Sequence, residues 1–313
     1  MIPVAIIGAG MAGLACARRL REAGVASVLF DKGRAVGGRV ATRRVEGLQF
    51  DHGAQYVTAR SHSFADALAP LQASGAVGNW EQGSGQSRLV GIPGMSALPR
   101  ALADGLDVRL NTEVTGLSFL GDRWRLKTGD RVEEAERVIM TLPAPQAQAL
   151  LGSDHPLASA LNDVRLAPCL TLMAAVRATR PFTVLEDPDH PLAWLARDSS
   201  KPGRPCGESA CWVAQAGPGF SREHLEKDPQ SIARLMLPLL CERLGVSADE
   251  VSYAVAHRWR YARVTVALGR DFLCSEDATL YLGGDWCLGA RVEAAWASGQ
   301  AVAEDLLSHP RVK

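Results

Sequence analysis

The sequence has no excess of charge and no long apolar run. Its 34 basic and 34 acidic residues give a formal net charge of zero, so no overall field favours nucleic acid or an anionic membrane. Apolar stretches stop well short of the roughly 20 residues that a membrane-spanning helix needs. The first residues, MIPVAIIG, lack the basic segment that begins a signal peptide. We therefore expect a cytoplasmic protein that acts on a small molecule, without a nucleic-acid partner or a membrane span.

The sequence also lacks the usual motifs of metal and hydrolase chemistry. None of the seven cysteines forms a C-x-x-C pair, and the histidines and cysteines lack the spacing of zinc ligands. No metal site is predicted, and the thiols are expected to be reduced and mostly buried. Cys206 and Cys211 have the spacing of a redox disulfide, but no second glycine fingerprint accompanies them. No nucleophile elbow is present, which argues against a hydrolase.

The first thirty residues have the pattern of a strand, a helix and a second strand. Residues 2–7 are mainly apolar and β-branched, residues 11–23 carry apolar side chains at helical spacing, and residues 25–30 are again typical of a strand. Such a unit implies parallel strands with a right-handed crossover. A chain of 313 residues exceeds the usual size of one core, so a second, smaller domain is expected.

A glycine-rich turn, G-A-G-M-A-G, lies between the first strand and the helix. Gly8 suits the tight turn, Gly10 lets a pyrophosphate approach the backbone, and Gly13 allows close helix packing. The helix N-terminus offers free N–H groups and a partial positive charge. Asp31 ends the second strand, where a carboxylate can accept from both ribose hydroxyls. The neighbouring contact residues are Met11, Ala12 and Lys32. Dinucleotide binding is predicted, although these features do not separate NAD from FAD.

Other motifs resemble those of the flavin amine oxidase superfamily. The G-G-R segment at 37–39 is similar to the one that meets the FAD pyrophosphate, and D-H-G-A-Q-Y at 51–56 to the one beside the isoalloxazine. G-G-D-W at 283–286, followed by a helix start, resembles the C-terminal motif whose aspartate contacts the ribityl chain. The resemblance implies these further FAD contacts: Gly38, Arg39, Gln55, Val114, Gly284, Asp285, Arg291 and the amide of Val292, which faces flavin N1 and the C2 carbonyl.

The implied fold is α/β, with a Rossmann-like FAD-binding domain and a smaller α+β substrate domain of mixed sheet plus helices. The expected FAD-binding domain comprises residues 1–62, 92–160 and 271–313, and the substrate domain comprises residues 63–91 and 161–270. Helices are predicted at 64–73, 230–244 and 293–307, and residues 35–56 as a ligand-clasping loop. Further strands are predicted at 108–111, 114–119, 123–127, 138–142, 170–176, 193–196, 211–215 and 280–283, with residues 78–92 as a hairpin or a crossing between domains.

Within that superfamily, the chain most resembles bacterial renalase-type proteins. Six segments carry this resemblance: D-K-G-R with G-G-R, D-H-G-A-Q-Y-V-T-A-R, G-M-S-A-L, W-L-A-R-D-S-S-K-P, H-R-W-R-Y-A and G-G-D-W-C. The resemblance implies an oxidase that takes a hydride at flavin N5 from 2- or 6-dihydro isomers of NAD(P), forms NAD(P)⁺, and passes the electrons to oxygen as hydrogen peroxide. Such an enzyme contributes orientation rather than an acid or a base. The substrate-pocket candidates are Gln55, Tyr56, Trp194, Arg197, His257, Trp259 and Trp286, with Lys201 and Tyr261 in the same motifs.

Two alternatives stay open. A flavin amine oxidase acting on a small amine would share every FAD motif, but relatives commonly place a lysine through water at flavin N5. None of the five lysines lies between residues 251 and 290, where that lysine would be expected. The other alternative is a non-catalytic FAD-binding sensor. FAD itself is expected to be non-covalent, because Cys274 and Cys287 lack the cysteine-tyrosine context that relatives use for attachment.

Overall fold

Two main β-sheets organise the chain in the computed structural model, which describes residues 1–81, 87–177, 181–205 and 207–309. The strands are β1 (Ile2–Ile7), β2 (Ser27–Phe30), β3 (Thr42–Val45), β4 (Leu48–Asp51), β5 (Val77–Trp80), β6 (Arg88–Gly91), β7 (Asp107–Arg109), β8 (Val114–Phe119), β9 (Trp124–Thr128), β10 (Arg131–Met140), β11 (Arg165–Val176), β12 (Val184–Glu186), β13 (Trp194–Arg197), β14 (Ala210–Gln215), β15 (Val251–Val266), β16 (Leu273–Cys274) and β17 (Leu280–Leu282). The helices are α1 (Met11–Glu22), α2 (His62–Ala73), α3 (Ala97–Leu102), α4 (Ala144–Leu151), α5 (Pro156–Ser159), α6 (Pro218–Glu223), α7 (Pro229–Leu244), α8 (Asp285–Leu288) and α9 (Val292–Ser308).

The first sheet has the strand order β16-β17-β10-β1-β2-β7, with β8 and β9 joined to the first half of β10 as an antiparallel meander. The strands from β17 to β7 run parallel. The N–H of Gly8 donates to the carbonyl of Phe30 (2.8 Å), so the glycine-rich turn begins at the carboxyl ends of β1 and β2. In open α/β sheets this edge is where ligands bind.

Helices α1 and α9 lie side by side and parallel on one face of the first sheet. Gln300 of α9 donates to the carbonyl of Ala15 in α1 (2.9 Å). A Cβ atom at Gly299 would lie 2.0 Å from the carbonyl oxygen of Ala12, so the two backbones touch at this point. Because Gly299 is seven residues into α9, that helix begins about 10 Å before the contact. Its N-terminus therefore extends beyond α1 towards the ligand-binding edge.

The second sheet is antiparallel, with the order β12-β13-β14-β11-β15. Helix α7 covers one face, where Trp212 and Met236 are fully buried. The β3–β4 hairpin covers the opposite face, where Phe50 packs on Met173 and stacks on Tyr253 at 5.6 Å. This hairpin, which leads into residues 51–56, connects the second sheet to the glycine-rich edge of the first.

Most of the predicted elements are present, but two stretches differ from expectation. Residues 35–56, predicted as a loop, contain β3 and β4. Their buried and half-buried residues contact distant parts of the chain, Phe50 the second sheet and Thr42 the backbone of Ser96, so these strands leave no local periodicity. Residues 63–91 were assigned to the substrate domain, yet Phe64 shares a core with α1 and α9 and its ring lies 5.7 Å from that of Trp296. We propose that this segment belongs with the FAD-binding domain; the other boundaries stay predictions.

None of the helices in the described ranges is both long enough and apolar enough to cross a membrane. In the same ranges, no group of three or more histidine, cysteine or carboxylate side chains is placed to hold a metal ion.

Candidate functional site

Each of the three fingerprint glycines is suited to its position for a different structural reason. Gly8 has a φ of +110°, a conformation that disfavours side chains. A Cβ atom at Gly13 would lie 2.0 Å from the oxygen of Gly8, whereas one at Gly10 would have nothing within 4 Å. The open space is therefore at Gly10, where a pyrophosphate would approach. The N–H of Gly37 donates to the carbonyl of Ala9 (2.8 Å), so the G-G-R loop folds over the same turn.

Asp31 lies at the expected place beside this turn. Its carboxylate accepts from the N–H groups of Ala9 and Gly33, both at 2.7 Å. The N–H of Thr112 donates to the carbonyl of Asp31 (2.8 Å), which brings the start of β8, and hence Val114, next to it. The neighbouring Lys32 is half exposed and lies 3.6 Å from Glu113. An acidic side chain and the start of β8 are thus adjacent, an arrangement that fits the adenosine half of FAD.

The G-G-R and G-G-D-W motifs, far apart in sequence, meet in the structure. Arg39 donates to both carboxylate oxygens of Asp285, at 2.7 and 2.8 Å, and also to the carbonyl of Ala262 (3.0 Å). The Arg39 side chain keeps 30% of its surface exposed, against 8% for Asp285. This ion pair holds the two motifs together, and the partly exposed guanidinium and the carboxylate fit a site for the pyrophosphate and the ribityl hydroxyls of FAD.

Helix α9 presents an N-terminus that no side chain caps. Arg291 is its N-cap residue and Val292 its first helical residue. The carboxylate of Glu293 turns away and accepts from the N–H (2.6 Å) and the hydroxyl (2.8 Å) of Ser61. Burial opposes ionisation of Glu293, but these bonds outweigh it and lower its pKa. An uncapped N-terminus of a long helix attracts negative charge, which fits the charge that develops at flavin N1 and C2 on reduction.

The 51–56 segment runs directly against the G-R backbone. The N–H of Ala54 donates to the carbonyl of Arg39 (2.9 Å). A Cβ atom at Gly53 would lie 1.9 Å from the same oxygen, so only glycine allows this approach. The segment therefore passes between the FAD-binding loops and the second sheet.

A row of side chains crosses the second sheet and faces this segment. Strand register places five residues directly opposite one another, one per strand: Glu186, Trp194, Gln215, Thr171 and His257. Opposed residues in antiparallel strands project from the same face. The side-chain N–H of Gln215 donates to the carbonyl of Gly53 (2.8 Å). The row, together with residues 52–56, is hereafter called the cavity face.

One end of the cavity face is an aromatic cluster of His52, His257 and Trp259. The ring of His52 stacks on Trp259 at 5.3 Å and meets His257 edge-on at 4.8 Å. The indole N–H of Trp259 donates to the carbonyl of His52 (2.8 Å). Burial, aided by His257, lowers the pKa of His52 to about 4, and burial with nearby Arg43 lowers the pKa of His257. Both imidazoles are therefore neutral at pH 7. Tyr261 lies two residues after Trp259 on β15.

The other end of the cavity face combines two aromatic rings with a guanidinium. The rings of Tyr56 and Trp194 lie 6.0 Å apart. Arg88 lies over both, at 4.7 Å from the Tyr56 ring centre and 5.4 Å from that of Trp194, and pairs with Glu186 at 3.1 Å. The indole N–H of Trp194 is enclosed and has no acceptor among the residues described.

A cluster of four buried charges supports the 51–56 segment from behind. Asp51, Asp198, Lys201 and Arg204 have side chains at most 1% exposed. The ammonium of Lys201 lies 2.6 Å from Asp198 and 3.2 Å from Asp51, and Arg204 donates to Asp51. Burial opposes ionisation of Asp51, but Lys201 and Arg204 outweigh it and lower its pKa, whereas burial with the Asp51 charge raises the pKa of Asp198. The Gln55 side chain accepts from Lys201 at 3.2 Å.

Two sequence-predicted pocket residues lie elsewhere than expected. Trp286 is 0% exposed and its indole N–H donates to the carbonyl of Leu142 (3.0 Å), so it belongs to the core below the first sheet. Arg197 opposes Trp212 in the sheet register and thus lies on the α7 face, away from Trp194. Neither side chain lies on the cavity face. Lys201, expected in a motif that lines or supports the cavity, lies behind Gln55 in the charge cluster.

Several residues of the site were missed by sequence reasoning. They are His52, Arg88, Thr171, Gln215, Asp198 and Arg204. The D-S-S-K-P-G-R segment does carry a signal, since one acid and two bases follow each other at three-residue spacing. The alignment of Gln215 with Gly53 depends on strand register, which no single segment encodes.

A separate cavity of about 450 Å³ lies between the end of β7 and the β8–β10 meander. Phe30, Arg109 and Thr112 are among its lining residues. Arg109 pairs with Glu133 at 2.7 Å and lies over the Phe30 ring. No fingerprint or cavity-face residue borders it, so we do not assign it to the substrate.

Replacement of Arg39 by lysine is expected to weaken FAD binding about 10- to 100-fold, because an ammonium cannot hold Asp285 of the cofactor site by two parallel hydrogen bonds, a contact worth about 1.5–3 kcal/mol. FAD titration of the apoprotein, followed by flavin fluorescence, measures this change. Arg19→Lys is the matched control, since Arg19 makes a fork with Glu304 between α1 and α9 on the surface. Equal affinities for the two variants would contradict the assignment of Arg39.

The chain matches known families and structures that have a Rossmann-type nucleotide-binding fold, in line with the fold described above. Residues 6–69 match the model of an NAD(P)-binding Rossmann-like domain. Residues 64–307 match the model described as flavin containing amine oxidoreductase. The latter covers well over half of the chain, so the chain belongs to the family of flavin containing amine oxidoreductases. It is an FAD-dependent oxidoreductase, and the residues above fit that cofactor.

Solved structures of similar fold include oxidases. A candidate protoporphyrinogen oxidase from Exiguobacterium sp. 255-15 is 16% identical, with a TM-score of 0.80 over 98% of this chain and 99% of that one. Cyclohexylamine oxidase from Brevibacterium oxydans IH-35A is 14% identical, with a TM-score of 0.73 over 98% and 99%. Putrescine oxidase with bound putrescine is 15% identical, with a TM-score of 0.69 over 98% and 99%. At these identities the likeness concerns the fold alone.

Proposed function

We propose that this protein is an oxidase that accepts a hydride from 2- or 6-dihydro isomers of NAD(P), giving NAD(P)⁺ and, with oxygen, hydrogen peroxide. The observation that carries the proposal is the composition of the cavity face, where aromatic rings, two neutral imidazoles and an amide face the segment beside the flavin. Such groups can stack and orient a dihydropyridine ring. They offer no strong base, and hydride loss from a dihydropyridine needs none.

The charges around the cavity face favour an anionic nucleotide over a cationic amine. Arg43 and Arg88 border the two aromatic clusters. Asp51 and Asp198, behind the 51–56 segment, are fully buried and paired. Glu186, the one carboxylate in the row of the cavity face, is paired with Arg88 at 3.1 Å. An ammonium substrate would therefore meet guanidinium groups whose neighbouring carboxylates are already paired.

In the proposed reaction, bound FAD supplies the acceptor, its isoalloxazine N5. The protein's own part is to hold the dihydropyridine flat against that ring between the aromatic clusters and to exclude water. Hydride departure leaves an aromatic pyridinium, so no proton has to be removed by the protein. Both histidines stay neutral, which avoids repulsion with that developing positive charge.

The alternative is oxidation of a small amine. The family description and the fold shared with amine oxidases favour it. Against it, Lys201 is engaged by two carboxylates, and no lysine occurs between residues 251 and 290.

FAD is proposed to be held without a covalent bond, in a cytoplasmic protein. Burial raises the pKa of Cys287 to about 12 and also raises that of Cys274, so neither thiol is activated for attachment. The six described cysteines are free thiols, as is common in reducing compartments. Acid precipitation should leave the yellow colour in the supernatant; a yellow pellet would refute non-covalent binding.

Anaerobic mixing of the purified holoenzyme with each reductant tests the function. The panel contains 6-dihydro-NAD, 2-dihydro-NAD, ordinary NADH and several small amines, and flavin bleaching is followed. Fast bleaching by the two dihydro isomers alone is the expected result. Bleaching by an amine instead would establish the alternative. Absence of flavin bleaching with every compound would indicate a non-catalytic flavin-binding protein.

A further inference from the structure

Strand β15 has a bulge just beyond the aromatic cluster of the cavity face. Trp259 opposes Cys169 on β11, and Arg263 opposes Ala167. Between these two pairs, residues 260–262 of β15 stand opposite the single residue Pro168. Proline has no N–H for the ladder and is tolerated within a sheet at such a bulge. Bulges redirect side chains and backbone groups and are frequent next to active sites.

The bulge brings β15 to the cofactor motifs. The carbonyl of Ala262, inside the bulge, accepts from Arg39 (3.0 Å). Arg39 also holds Asp285 by two hydrogen bonds, so this part of β15 lies beside the paired G-G-R and G-G-D-W motifs. Arg263 is the next residue along the strand after Ala262.

Arg263 projects from the same face of the second sheet as the cavity-face row. Its partner Ala167 is two residues from Cys169 and four from Thr171, so these three share one face. The Cys169 sulfur lies 3.8 Å from the Thr171 hydroxyl, which agrees with that arrangement. Burial raises the pKa of Cys169 to about 11, while the Thr171 hydroxyl and the nearby charge of Arg263 oppose the rise. Arg263 therefore extends the cavity face beyond Trp259.

The guanidinium of Arg263 is available to a ligand. Arg263 is exposed, and no carboxylate or carbonyl of the described residues binds its side chain. At the far end of the cavity face, in contrast, Arg88 is engaged by Glu186 at 3.1 Å. A guanidinium presents its N–H donors as a planar fork that matches the oxygens of a phosphate. The cavity face thus ends, beside the cofactor motifs, in a cation suited to a phosphate group.

We propose that Arg263 binds the phosphate next to the nicotinamide riboside of the substrate, so that phosphorylated dihydronicotinamides are preferred over the free riboside. The dihydropyridine ring lies at the aromatic cluster. The β11 partners of Trp259 and Arg263 are two residues, about 7 Å, apart, a distance that one ribose spans between its base and its phosphate. NAD and NADP share this phosphate. This inference rests on the proposed function and names the group by which that substrate is held.

The contact is expected to change KM rather than kcat. It is made equally before and during hydride transfer, because the phosphate takes no part in the chemistry. Water screens a contact at an exposed guanidinium, so its effect is smaller than that of a buried one. We expect KM to be about tenfold lower for 6-dihydronicotinamide mononucleotide than for 6-dihydronicotinamide riboside, with the same kcat.

The experiment is anaerobic flavin bleaching of the holoenzyme by these two compounds over a range of concentrations. Arg263→Gln should raise KM for the mononucleotide about tenfold and leave KM for the riboside unchanged. Arg258→Gln is the matched control, since it removes the same charge from the same strand. Arg258 is exposed, but it opposes Leu170 of the α7-side core and donates to the carbonyl of Leu225 (2.7 Å). This control should keep the wild-type ratio of KM values.

A second readout does not depend on turnover. Nicotinamide mononucleotide and nicotinamide riboside are titrated into the oxidised holoenzyme, and the flavin absorption spectrum is recorded. The mononucleotide should bind about tenfold more tightly at low salt, and added salt should reduce this advantage by screening the charges. Arg263→Gln should abolish both the advantage and its salt dependence. Because the flavin must be bound to be seen, the same spectra confirm that the variant is folded.

A phosphate of FAD is the other group that Arg263 could reach, because Ala262 contacts Arg39. FAD titration of the apoprotein separates the two sources. The FAD dissociation constant of Arg263→Gln should stay within about twofold of the wild-type value. Weaker FAD binding with an unchanged mononucleotide-to-riboside ratio would assign Arg263 to the cofactor and overturn the proposal.

The remaining outcomes separate this inference from the oxidase function. Equal KM values for the two compounds in the wild type would overturn the phosphate contact while leaving the oxidase function intact. A larger loss of the ratio in Arg43→Gln than in Arg263→Gln would place the phosphate at the His52 end of the aromatic cluster and likewise overturn it. Bleaching by neither compound would overturn the oxidase function and, with it, the contact. Loss of the ratio in Arg263→Gln, with Arg258→Gln unchanged, would support both.

Discussion

Replacement of Lys201 by methionine is expected to lower the free energy of unfolding by about 3–5 kcal/mol, the cost of leaving a buried charge without its partner. Lys201 has a fully buried side chain and contacts both Asp51 and Asp198. The wild-type cluster is neutral, with two carboxylates and two cations. The variant would hold two buried carboxylates against Arg204 alone, so one of them must take up a proton.

The pH dependence of the free energy of unfolding of Lys201→Met tests the electrostatic account more specifically than the loss of stability at one pH. Burial already raises the pKa of Asp198, and the Asp51 charge adds to this; without Lys201 that pKa rises further. A carboxyl whose folded pKa exceeds its unfolded value contributes stability at low pH that is lost as the pH rises through the folded pKa. The variant should therefore become more stable as the pH falls from 7 towards 5, measured by urea unfolding at each pH.

Two further variants control this prediction. Lys227 is exposed on the surface, so Lys227→Met should change the stability by less than about 0.5 kcal/mol. Adding Asp198→Asn to Lys201→Met restores a neutral cluster of Asp51 and Arg204, and should recover at least about half of the loss. A double variant no more stable than the single one would argue against the electrostatic account.

The same cluster shows what sequence could and could not predict about this site. The D-H-G-A-Q-Y and W-L-A-R-D-S-S-K-P motifs were both recognised, yet nothing in either indicates that Asp51 and Lys201 are ion-pair partners 150 residues apart. Lys201 was consequently expected only as a residue that lines or supports the cavity, without its ion-pair partners. A lysine is rarely buried unless paired, and the pairing is a property of the tertiary structure rather than of the motif.

Sequence patterns within one segment predicted helices more accurately than they predicted contacts between distant segments. The helix over residues 293–307 corresponds to α9, Val292–Ser308, because apolar residues spaced three and four apart are a local signal. Trp286, in contrast, is the last residue of a recognisable motif but is fully buried in the core below the first sheet, with its indole N–H bonded to Leu142. Which face a side chain takes depends on φ and on strand register, and short motifs specify neither.

Gly10→Ala and Gly13→Ala are expected to separate cofactor binding from folding. At Gly10 the backbone φ is −77° and an added Cβ would have nothing within 4 Å, so the apoprotein should lose no more than about 1 kcal/mol, the usual cost of alanine at a helix N-cap. That methyl group would stand where the pyrophosphate approaches the backbone. The FAD dissociation constant should therefore rise by at least about 100-fold.

At Gly13 the same substitution meets the protein itself. The added Cβ would lie 2.0 Å from the carbonyl oxygen of Gly8 and 3.0 Å from the Thr141 hydroxyl, which forces α1 away from β1. The apoprotein should lose several kcal/mol, on the order of other backbone-overlap substitutions. Urea unfolding of the apoprotein and FAD titration measure the two effects separately. If Gly10→Ala destabilised the apoprotein as much as Gly13→Ala, the open space at Gly10 would not be a ligand space, and the pyrophosphate would have to approach elsewhere on the turn.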